Sequence, residues 1–190
     1  MNGVVISLAI LFGAPLVSSG TAAAQEIRGP AFAHDGDDIV VGGTRVRLHG
    51  IDAFELGQTC TIDGAIWSCG HDARSVLDEI VANAEVRCVV AQTALSQGRP
   101  VVRCYVDRVE VNGELVRRGF TFDCTRFSKG RYRTQEASAR ASKAGAWRGQ
   151  FAWPWTSKGK DYCGRGHTAF DPYTPGAPIG LRSRLSWFSS

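Results

Sequence analysis

The chain has 190 residues, 44% of them apolar, which is enough for one domain with a hydrophobic core and a tail. After the first 24 residues no segment is apolar for long enough to cross a bilayer, which excludes a membrane-spanning mature chain. The net charge of +4 divides into eight basic and fourteen acidic residues over 25–114, and fourteen basic and four acidic residues over 115–190. This asymmetry fits a polyanion approaching a metal site, and equally a solvated Arg-rich surface.

The first 24 residues are predicted to be a secretory signal peptide. They carry no charged side chain, are almost wholly apolar over 4–17, and end in Thr21-Ala-Ala-Ala24, a small-residue cleavage site. An N-terminal membrane anchor is the alternative, although Gly13 and Pro15 interrupt the apolar run. A secreted or periplasmic mature protein is therefore expected.

Short strands are predicted for the first half of the chain, over 27–33, 39–41 and 46–51. Gly42-Gly43 is a hairpin turn signal between the second and third of them. A strict two-residue turn there pairs Asp37 with Leu48 rather than with Arg47. We therefore expect a bulge or a longer turn if Asp37 and Arg47 are to share one face.

The following elements alternate between helix and strand. Apolar residues at helical spacing predict a helix over 70–84, and two alternating apolar runs predict a hairpin of 86–90 with 101–106. A short helix over 112–119 is predicted to be capped by Asn112 and ended by Gly119, and a longer one covers 132–146. This order predicts an α+β, mainly β fold: a five-stranded OB-type barrel with about three helices over residues 25–150.

Residues 151–190 are predicted to be a C-terminal extension, partly irregular. The aromatic segment 151–155 is expected to pack onto the domain, whereas 164–190 is rich in Gly, Pro, Ser and Arg and shows no period.

Six cysteines behind a signal peptide indicate disulfides formed in an oxidising compartment. Cys88 and Cys104 fall opposite one another in the predicted hairpin, and Cys60 and Cys69 lie at the ends of one short loop. Cys124 is then left to pair with Cys163. A structural zinc site is the alternative, but the chain has no Cys-x-x-Cys pair and its four histidines are scattered.

The segment 35–55 concentrates the candidate chemistry. Asp37, Asp52 and Glu55 offer hard oxygen ligands for a divalent cation, and Arg47 offers a planar fork for a phosphate. Together these groups are the parts needed to hydrolyse a phosphodiester. The alternative is a turn-forming Asp37 and an Arg47 with a purely structural carboxylate partner.

The chain resembles the staphylococcal nuclease (thermonuclease) family from about residue 27 to residue 147. Five motifs carry the resemblance in order: Asp35-Gly-Asp37; Val46-Arg47-Leu48-x-Gly50-Ile51-Asp52-Ala53-x-Glu55-x-Gly57-Gln58; Gly98-Arg99; Asn112-x-x-Leu115-Val116-x-x-Gly119; and Glu136-x-x-Ala139-Arg140 with Gly145-x-Trp147. The segment around Cys60 and Cys69 and the run Arg126-Phe-Ser-Lys-Gly130 are similar to a secreted proteobacterial branch. Some members of that branch are labelled as exopolysaccharide-synthesis proteins.

The resemblance implies a role for each matching residue. Asp37, Asp52 and the carbonyl of Ala53 would bind Ca²⁺. Glu55 would activate the attacking water, and Arg47 and Arg99 would hold the phosphate and stabilise its transition state. The implied activity is calcium-dependent endonucleolytic cleavage of DNA and RNA by a monomer.

Three features depart from the family pattern. Asp38 replaces the usual threonine after Asp37, Phe54 replaces the usual proline before Glu55, and an acid and a tyrosine before Gly98 are absent. Asp38 and Phe54 favour one alternative, a binding module for nucleic acid or anionic polysaccharide with an impaired metal site. A second alternative is a structural or assembly protein of envelope polysaccharide production. Retention of the five site side chains favours the enzyme.

Overall fold

The computed structural model describes residues 25–156 and 161–164. The predicted signal peptide and most of the predicted irregular tail lie outside these residues. Among the described helices, none combines the length and the apolar character that a membrane crossing requires.

The described residues form strands, α-helices and short 3-10 helices. The strands are β1 (Glu26–Ala33), β2 (Asp38–Val41), β3 (Thr44–Leu48), β4 (Ile51–Ala53), β5 (Cys60–Ile62), β6 (Ala65–Trp67), β7 (Glu85–Ser96), β8 (Arg99–Val106), β9 (Val109–Glu110) and β10 (Thr121–Asp123). The α-helices are α1 (Cys69–Val81), α2 (Val111–Arg117), α3 (Thr125–Ser128) and α4 (Arg133–Ala141). Two 3-10 helices cover Gly145–Arg148 and Pro154–Thr156.

Five strands pair in a ring, in the order β1, β2, β3, β8, β7 and back to β1. All of these pairings are antiparallel except that of β3 with β8, which is parallel and places Arg47 beside Val101. Strand β9 extends the sheet from β8, and two small sheets join β4 to β10 and β5 to β6. The prediction of a mainly β, OB-like fold with a few helices is confirmed.

The β2–β3 hairpin has a strict two-residue turn, because Gly42 and Gly43 have φ angles of 54° and 80° and Val41 pairs with Thr44. Asp38 consequently pairs with Arg47. The expectation of a bulge or a longer turn was wrong. Strand β2 begins only at Asp38, so Asp37 lies in the bend before it, where strand alternation no longer fixes the side-chain direction.

Asn112 is not the cap of α2, which was also predicted wrongly. Glu110 occupies that position, and Asn112 lies buried inside the helix. Its Nδ2 donates to the carbonyl of His49 at 3.0 Å and its Oδ1 accepts from the backbone of Cys104 at 3.2 Å. Asn112 therefore ties α2 to the end of β3 and to β8.

The predicted helix over 132–146 is shorter than expected. Helix α4 ends at Ala141, and the chain then turns through Lys143 and Gly145, with φ angles of 52° at both. A Cβ at Gly145 would lie 2.5 Å from the carbonyl oxygen of Arg118, so only glycine allows this approach. A 3-10 helix follows in place of the last turn.

The core has two parts. The larger one lies between the ring of strands and helices α1 and α2 and is mostly aliphatic. The second, which we call the aromatic cluster, is made of Phe54, Phe122, Trp147, Phe151, Trp153 and Trp155. The segment 151–155 packs into this cluster, as expected from its composition.

All six cysteines form disulfides, and the pairs are those expected from the sequence. Cys60–Cys69 joins β5 to the start of α1, and Cys88–Cys104 joins directly opposed residues of β7 and β8. Cys124–Cys163 ties residues 161–164 to the start of α3. Bridges that close loops of this size stabilise a fold by roughly 2–4 kcal/mol each. No cysteine is left for the zinc alternative.

Candidate active site

Three of the predicted site residues meet in one hydrogen-bonded group. The Nη2 of Arg47, on β3, donates to Oδ2 of Asp37 at 2.6 Å and to Oδ1 of Asp52 at 3.2 Å. Both carboxylates are buried. The Nε and Nη1 of Arg47 donate no hydrogen bond to any described residue, so the guanidinium keeps donors for a further anion.

Two glycines make this meeting possible. Gly50, with φ at 75°, turns the chain from β3 into β4, and a Cβ there would lie 2.9 Å from that of Ser128. At Gly36, an added Cβ would lie 2.6 Å from the Cβ of Ala53 and 3.1 Å from that of Ala73. The bend that carries Asp37 is thus pressed against β4 and α1.

Burial shapes the electrostatics of this group. Burial, helped by the charges of the nearby aspartates and opposed by Arg47, raises the pKa of Asp37 to about 7. Burial also works against the charged form of Arg47, but the carboxylates of Asp37 and Asp52 outweigh it and raise the pKa of Arg47. Burial therefore disfavours the charged form of Asp37, and a cation beside this carboxylate would favour it.

The donor set suits a hard cation. Carboxylate oxygens of Asp35, Asp37 and Asp38 lie within 4.8 Å of one another. Oδ1 of Asp38 is buried and has no hydrogen-bond partner among the described residues. Oxygen-only donors, several of them charged, are the ligands that Ca²⁺ prefers. Asp35 and Asp38 thus lie beside the predicted metal ligand Asp37.

Arg99 lies in a neighbouring group and is held by Asp38. Its Nη1 donates to Oδ2 of Asp38, its Nη2 to Gln97 Oε1 at 2.6 Å, and its Nε to the carbonyl of Ser96 at 3.2 Å. Arg45 reaches the same oxygen of Asp38 at 3.2 Å. Every nitrogen of the Arg99 guanidinium is therefore engaged, unlike those of Arg47. The sequence marked Asp38 as a departure but did not reveal this ion pair.

Glu55 and Ala53 lie at the end of β4. Ala53 closes the strand and pairs with Thr121 of β10, and Glu55 is half-buried in the loop that follows. The backbone N–H of Glu55 donates to Gln58 Oε1 at 3.2 Å. Helix α1 begins directly against this loop, since a Cβ at Gly70 would lie 1.9 Å from the carbonyl oxygen of Glu55.

Phe54 anchors the same loop from inside. It is fully buried, and its ring packs edge-on against Phe122 at 5.1 Å and Phe151 at 5.4 Å between centroids. Gln58 adds a hydrogen bond from Nε2 to the carbonyl of Ala152 at 2.6 Å. The loop that carries Glu55 is therefore held by the segment 151–155.

A groove of about 70 Å³ opens beside Arg47, with Gln92, Phe127 and Tyr162 among its lining residues. His49 also lines this groove. Burial and the nearby arginines lower the pKa of His49, which favours its neutral form. The Tyr162 hydroxyl donates to Oδ1 of Asp52. Tyr162 was not predicted, and its only signal in the sequence is its position next to Cys163.

A larger pocket, of about 280 Å³, lies between the end of β10 and α4. Its wall includes Glu136, which accepts from the backbone of Asp123 at 2.9 Å and from Arg140 at 2.8 Å. None of the predicted site residues lines it. The smaller groove is lined by one of the predicted catalytic and metal-binding residues, Arg47.

Comparison with known proteins identifies relatives. The family model for the staphylococcal nuclease homologue matches residues 45–149. The chain is also 34% identical over 147 residues to the succinoglycan biosynthesis protein ExoI of Rhizobium meliloti (strain 1021), and the alignment covers 76% of each chain. The family match includes Arg47, Asp52 and Arg99, and it ends before the segment that carries Tyr162.

Proposed function

The chain belongs to the staphylococcal nuclease family, and on that premise we propose that it is a calcium-dependent phosphodiesterase that hydrolyses DNA and RNA. The observation that carries the proposal is the position of Arg47. One nitrogen of its guanidinium is fixed by Asp37 and Asp52, while its other two bind none of the residues that the structure describes and lie beside the groove. A phosphate in the groove would meet a permanently charged guanidinium that the two aspartates hold in place.

Asp37, Asp52 and the carbonyl of Ala53 would hold the calcium ion, with Asp35 and Asp38 adding negative charge nearby. When bound, calcium supplies a positive charge that polarises a phosphate oxygen and favours ionisation of water. Burial makes the negative charge of Asp37 costly, and a cation beside it would offset that cost, which supports the assignment.

Arg47 would act on the phosphate directly. A donor on its Nε or its Nη1 would bind a phosphate oxygen, and this bond strengthens as negative charge builds up in the five-coordinate transition state. Only interactions that are stronger in that state raise the rate. Arg99 would donate to the same phosphate after exchanging its bond to Asp38.

Glu55 would be the general base. It would take the proton of the attacking water as the oxygen bonds to phosphorus, and the leaving oxygen would depart on the opposite side. Support comes from the anchoring of its loop, which Phe54 and Gln58 fix on both sides. A base must be held within hydrogen-bond reach of the proton it removes.

We infer secretion or export to the periplasm from the same framework. Three disulfides in a domain of this size support folding in an oxidising compartment. Removal of residues 1–24 as a signal peptide would deliver the chain there.

A binding module is the second candidate function. The observation that favours it is the full engagement of Arg99 by Asp38, Gln97 and Ser96. In this candidate the groove holds nucleic acid or an anionic polysaccharide without cleaving it. The relative named for succinoglycan biosynthesis fits this candidate as well as the first.

The test is cleavage of single-stranded DNA, duplex DNA and RNA by the oxidised mature chain, with calcium and with chelator. We expect calcium-dependent cleavage, reduced about 100- to 1000-fold in Arg47→Ala. Arg47→Lys keeps the charge between the two buried aspartates and is expected to fold while losing most of the activity. Arg28→Ala, which removes an exposed arginine paired with Glu26, is the matched control and is expected to cleave normally.

Binding of oligonucleotides without cleavage, by a folded and oxidised chain, would favour the second candidate. Cleavage that persists in chelator would contradict the calcium assignment. Cleavage retained by both Arg47 variants would remove Arg47 from the mechanism.

A further inference from the structure

We propose that Tyr162 is a positioning residue for Asp52 and that the Cys124–Cys163 disulfide holds it there. The inference rests on the proposed function, because Asp52 is proposed as a calcium ligand. It extends the site to a segment beyond the matched range 45–149.

The first observation is the contact itself. The Tyr162 hydroxyl and Nη2 of Arg47 both donate to Oδ1 of Asp52, whose side chain is fully buried. Two donors on one oxygen fix the orientation of the carboxylate more firmly than one. Partners that orient metal ligands in this way typically change metal affinity about 10- to 100-fold when removed.

The second observation is how the segment is attached. Cys163 follows Tyr162 directly and is bonded to Cys124. Its carbonyl accepts from the backbone of Arg126 at 3.0 Å and from the Thr125 hydroxyl at 3.2 Å. The disulfide and two hydrogen bonds therefore converge on one residue and set the position of its neighbour.

The third observation links this anchor back to Asp52. The backbone of Cys124 donates to Gly50 at 2.9 Å, and Phe122 of β10 pairs with Asp52 of β4. The path from Asp52 through β10 and the disulfide to Tyr162 therefore returns to Asp52. A closed path of short, buried links holds a hydroxyl in place far better than a free tail does.

Tyr162 does not obstruct the donors on which the proposed mechanism relies. It lines the same groove as Arg47, yet Nε and Nη1 of Arg47 have no hydrogen-bond partner among the described residues. The contact thus supports the carboxylate and leaves the phosphate position open. An inhibitory contact would instead occupy those donors.

The first experiment titrates calcium chloride into the oxidised mature chain by calorimetry. We expect Tyr162→Phe to bind calcium about 10- to 100-fold more weakly than the wild type. Tyr105→Phe removes the same hydroxyl from a half-buried tyrosine on β8 and is expected to bind normally. Equal or tighter calcium binding by Tyr162→Phe would overturn the inference.

The second experiment tests the tether. The variant Cys124→Ser/Cys163→Ser is expected to lose calcium affinity as Tyr162→Phe does, and adding Tyr162→Phe to it is expected to change nothing further. Cys88→Ser/Cys104→Ser removes a bridge away from Asp52 and is the matched control. If Tyr162→Phe weakens calcium binding as much in the chain without the Cys124–Cys163 bridge as in the wild type, the bridge does not hold Tyr162 in place.

A third measurement separates this inference from the proposed function. Urea unfolding in chelator of Tyr162→Phe, Asp52→Asn and the double variant needs neither calcium nor substrate. We expect the two effects on the unfolding equilibrium to be non-additive. If the effects of the two substitutions are non-additive but the wild type does not bind calcium, the proposed function is refuted and this inference is not. If the effects are additive and the wild type binds calcium, this inference is refuted and the proposed function is not.

Discussion

Replacing Asp38 by threonine, the usual residue of the family at this position, is expected to release Arg99 and to raise the rate of phosphodiester cleavage. Asp38 is the only acidic partner of Arg99 among the described residues, and both side chains are largely buried. Once it is removed, Nη1 of Arg99 becomes available for a phosphate. The change therefore tests both the ion pair and the proposed role of Arg99.

Opposing terms set the effect on stability. Removing one partner of a buried pair costs about 3–5 kcal/mol when the remaining charge is left unpaired. Arg99 keeps its bonds to Gln97 and Ser96, and Arg45 is 42% exposed and remains solvated. Deleting the unpartnered Oδ1 of Asp38 recovers about 1–3 kcal/mol of desolvation. We expect a net loss of about 1–2 kcal/mol, or roughly 2–8 °C in Tm.

The gain in rate follows from one charge-assisted hydrogen bond made to the transition state. Such a bond contributes about 1.5–3 kcal/mol, which corresponds to roughly 10- to 100-fold in kcat/KM. The assay is cleavage of a fluorescent oligonucleotide at saturating calcium, with thermal melting of each variant by circular dichroism. The gain should disappear in Asp38→Thr/Arg99→Ala, because no released arginine is then present.

Arg45→Ala is the matched control, since it removes the exposed partner of the same carboxylate and leaves Arg99 engaged. No gain is expected from it. An unchanged or slower rate in a folded Asp38→Thr chain would refute the reasoning, as would an equal gain without Arg99.

Four further predictions concern the base, the metal ligand and the loop. Glu55→Gln should lower kcat by about 100- to 10,000-fold and leave oligonucleotide affinity by fluorescence anisotropy unchanged; equal losses would mean that Glu55 is not the base. Because burial raises the pKa of Asp37 to about 7, calcium affinity by calorimetry should rise with pH up to about 7 and then level off, and Asp37→Asn should lack this step. The folded chain binds the proton of Asp37 more tightly than the unfolded chain does, because the pKa of Asp37 is higher in the folded state. In chelator, the contribution of Asp37 to the free energy of unfolding in urea should therefore fall as the pH rises from about 4 to 7. A contribution that rises over this range would contradict the raised pKa of Asp37. Phe54→Ala should cost about 3–5 kcal/mol in urea unfolding and Leu56→Ala, in the exposed part of the loop, less than about 1 kcal/mol; similar losses would contradict the anchoring.

Most strands of the ring were predictable because their apolar residues alternate and glycines mark the turns between them. The short elements were not. Strands β4, β5, β6 and β10 have three residues each. Strands β4 and β10 exist through pairing with each other across a long stretch of chain, and β5 and β6 form a short hairpin. Asn112 also shows that local sequence signals are limited. Asparagine often caps a helix, but here its side chain joins α2 to β8.

Prediction of the candidate site was limited by sequence separation. Asp37, Arg47 and Asp52 lie within one hairpin and its next strand, so their local spacing brings them together. The pair of Asp38 with Arg99 forms because β3 and β8 meet across the ring, which no local pattern reveals. Tyr162 reaches Asp52 from 110 residues away, through a disulfide.

The residue before Glu55 shows how this chain differs from the pattern of its family. Proline there fixes φ through its ring and limits the unfolded chain, an effect of about 0.4–1 kcal/mol. Phe54 lacks that constraint, but burying its ring contributes about 1.5–3 kcal/mol and fixes the loop by contact instead. Those contacts include Phe151, and the bond from Gln58 reaches Ala152.

Phe151 and Ala152 both lie beyond residue 149, where the family match ends. The loop of Glu55 and the carboxylate of Asp52 are therefore held by parts of the chain that no family motif contains. A chain cut after Gly149 would keep every motif residue and lose the contacts that orient two of them. For this reason, the presence of the motif residues is not enough to argue for activity in this protein. The packing of residues 151–155 and 161–164 against them is the stronger argument.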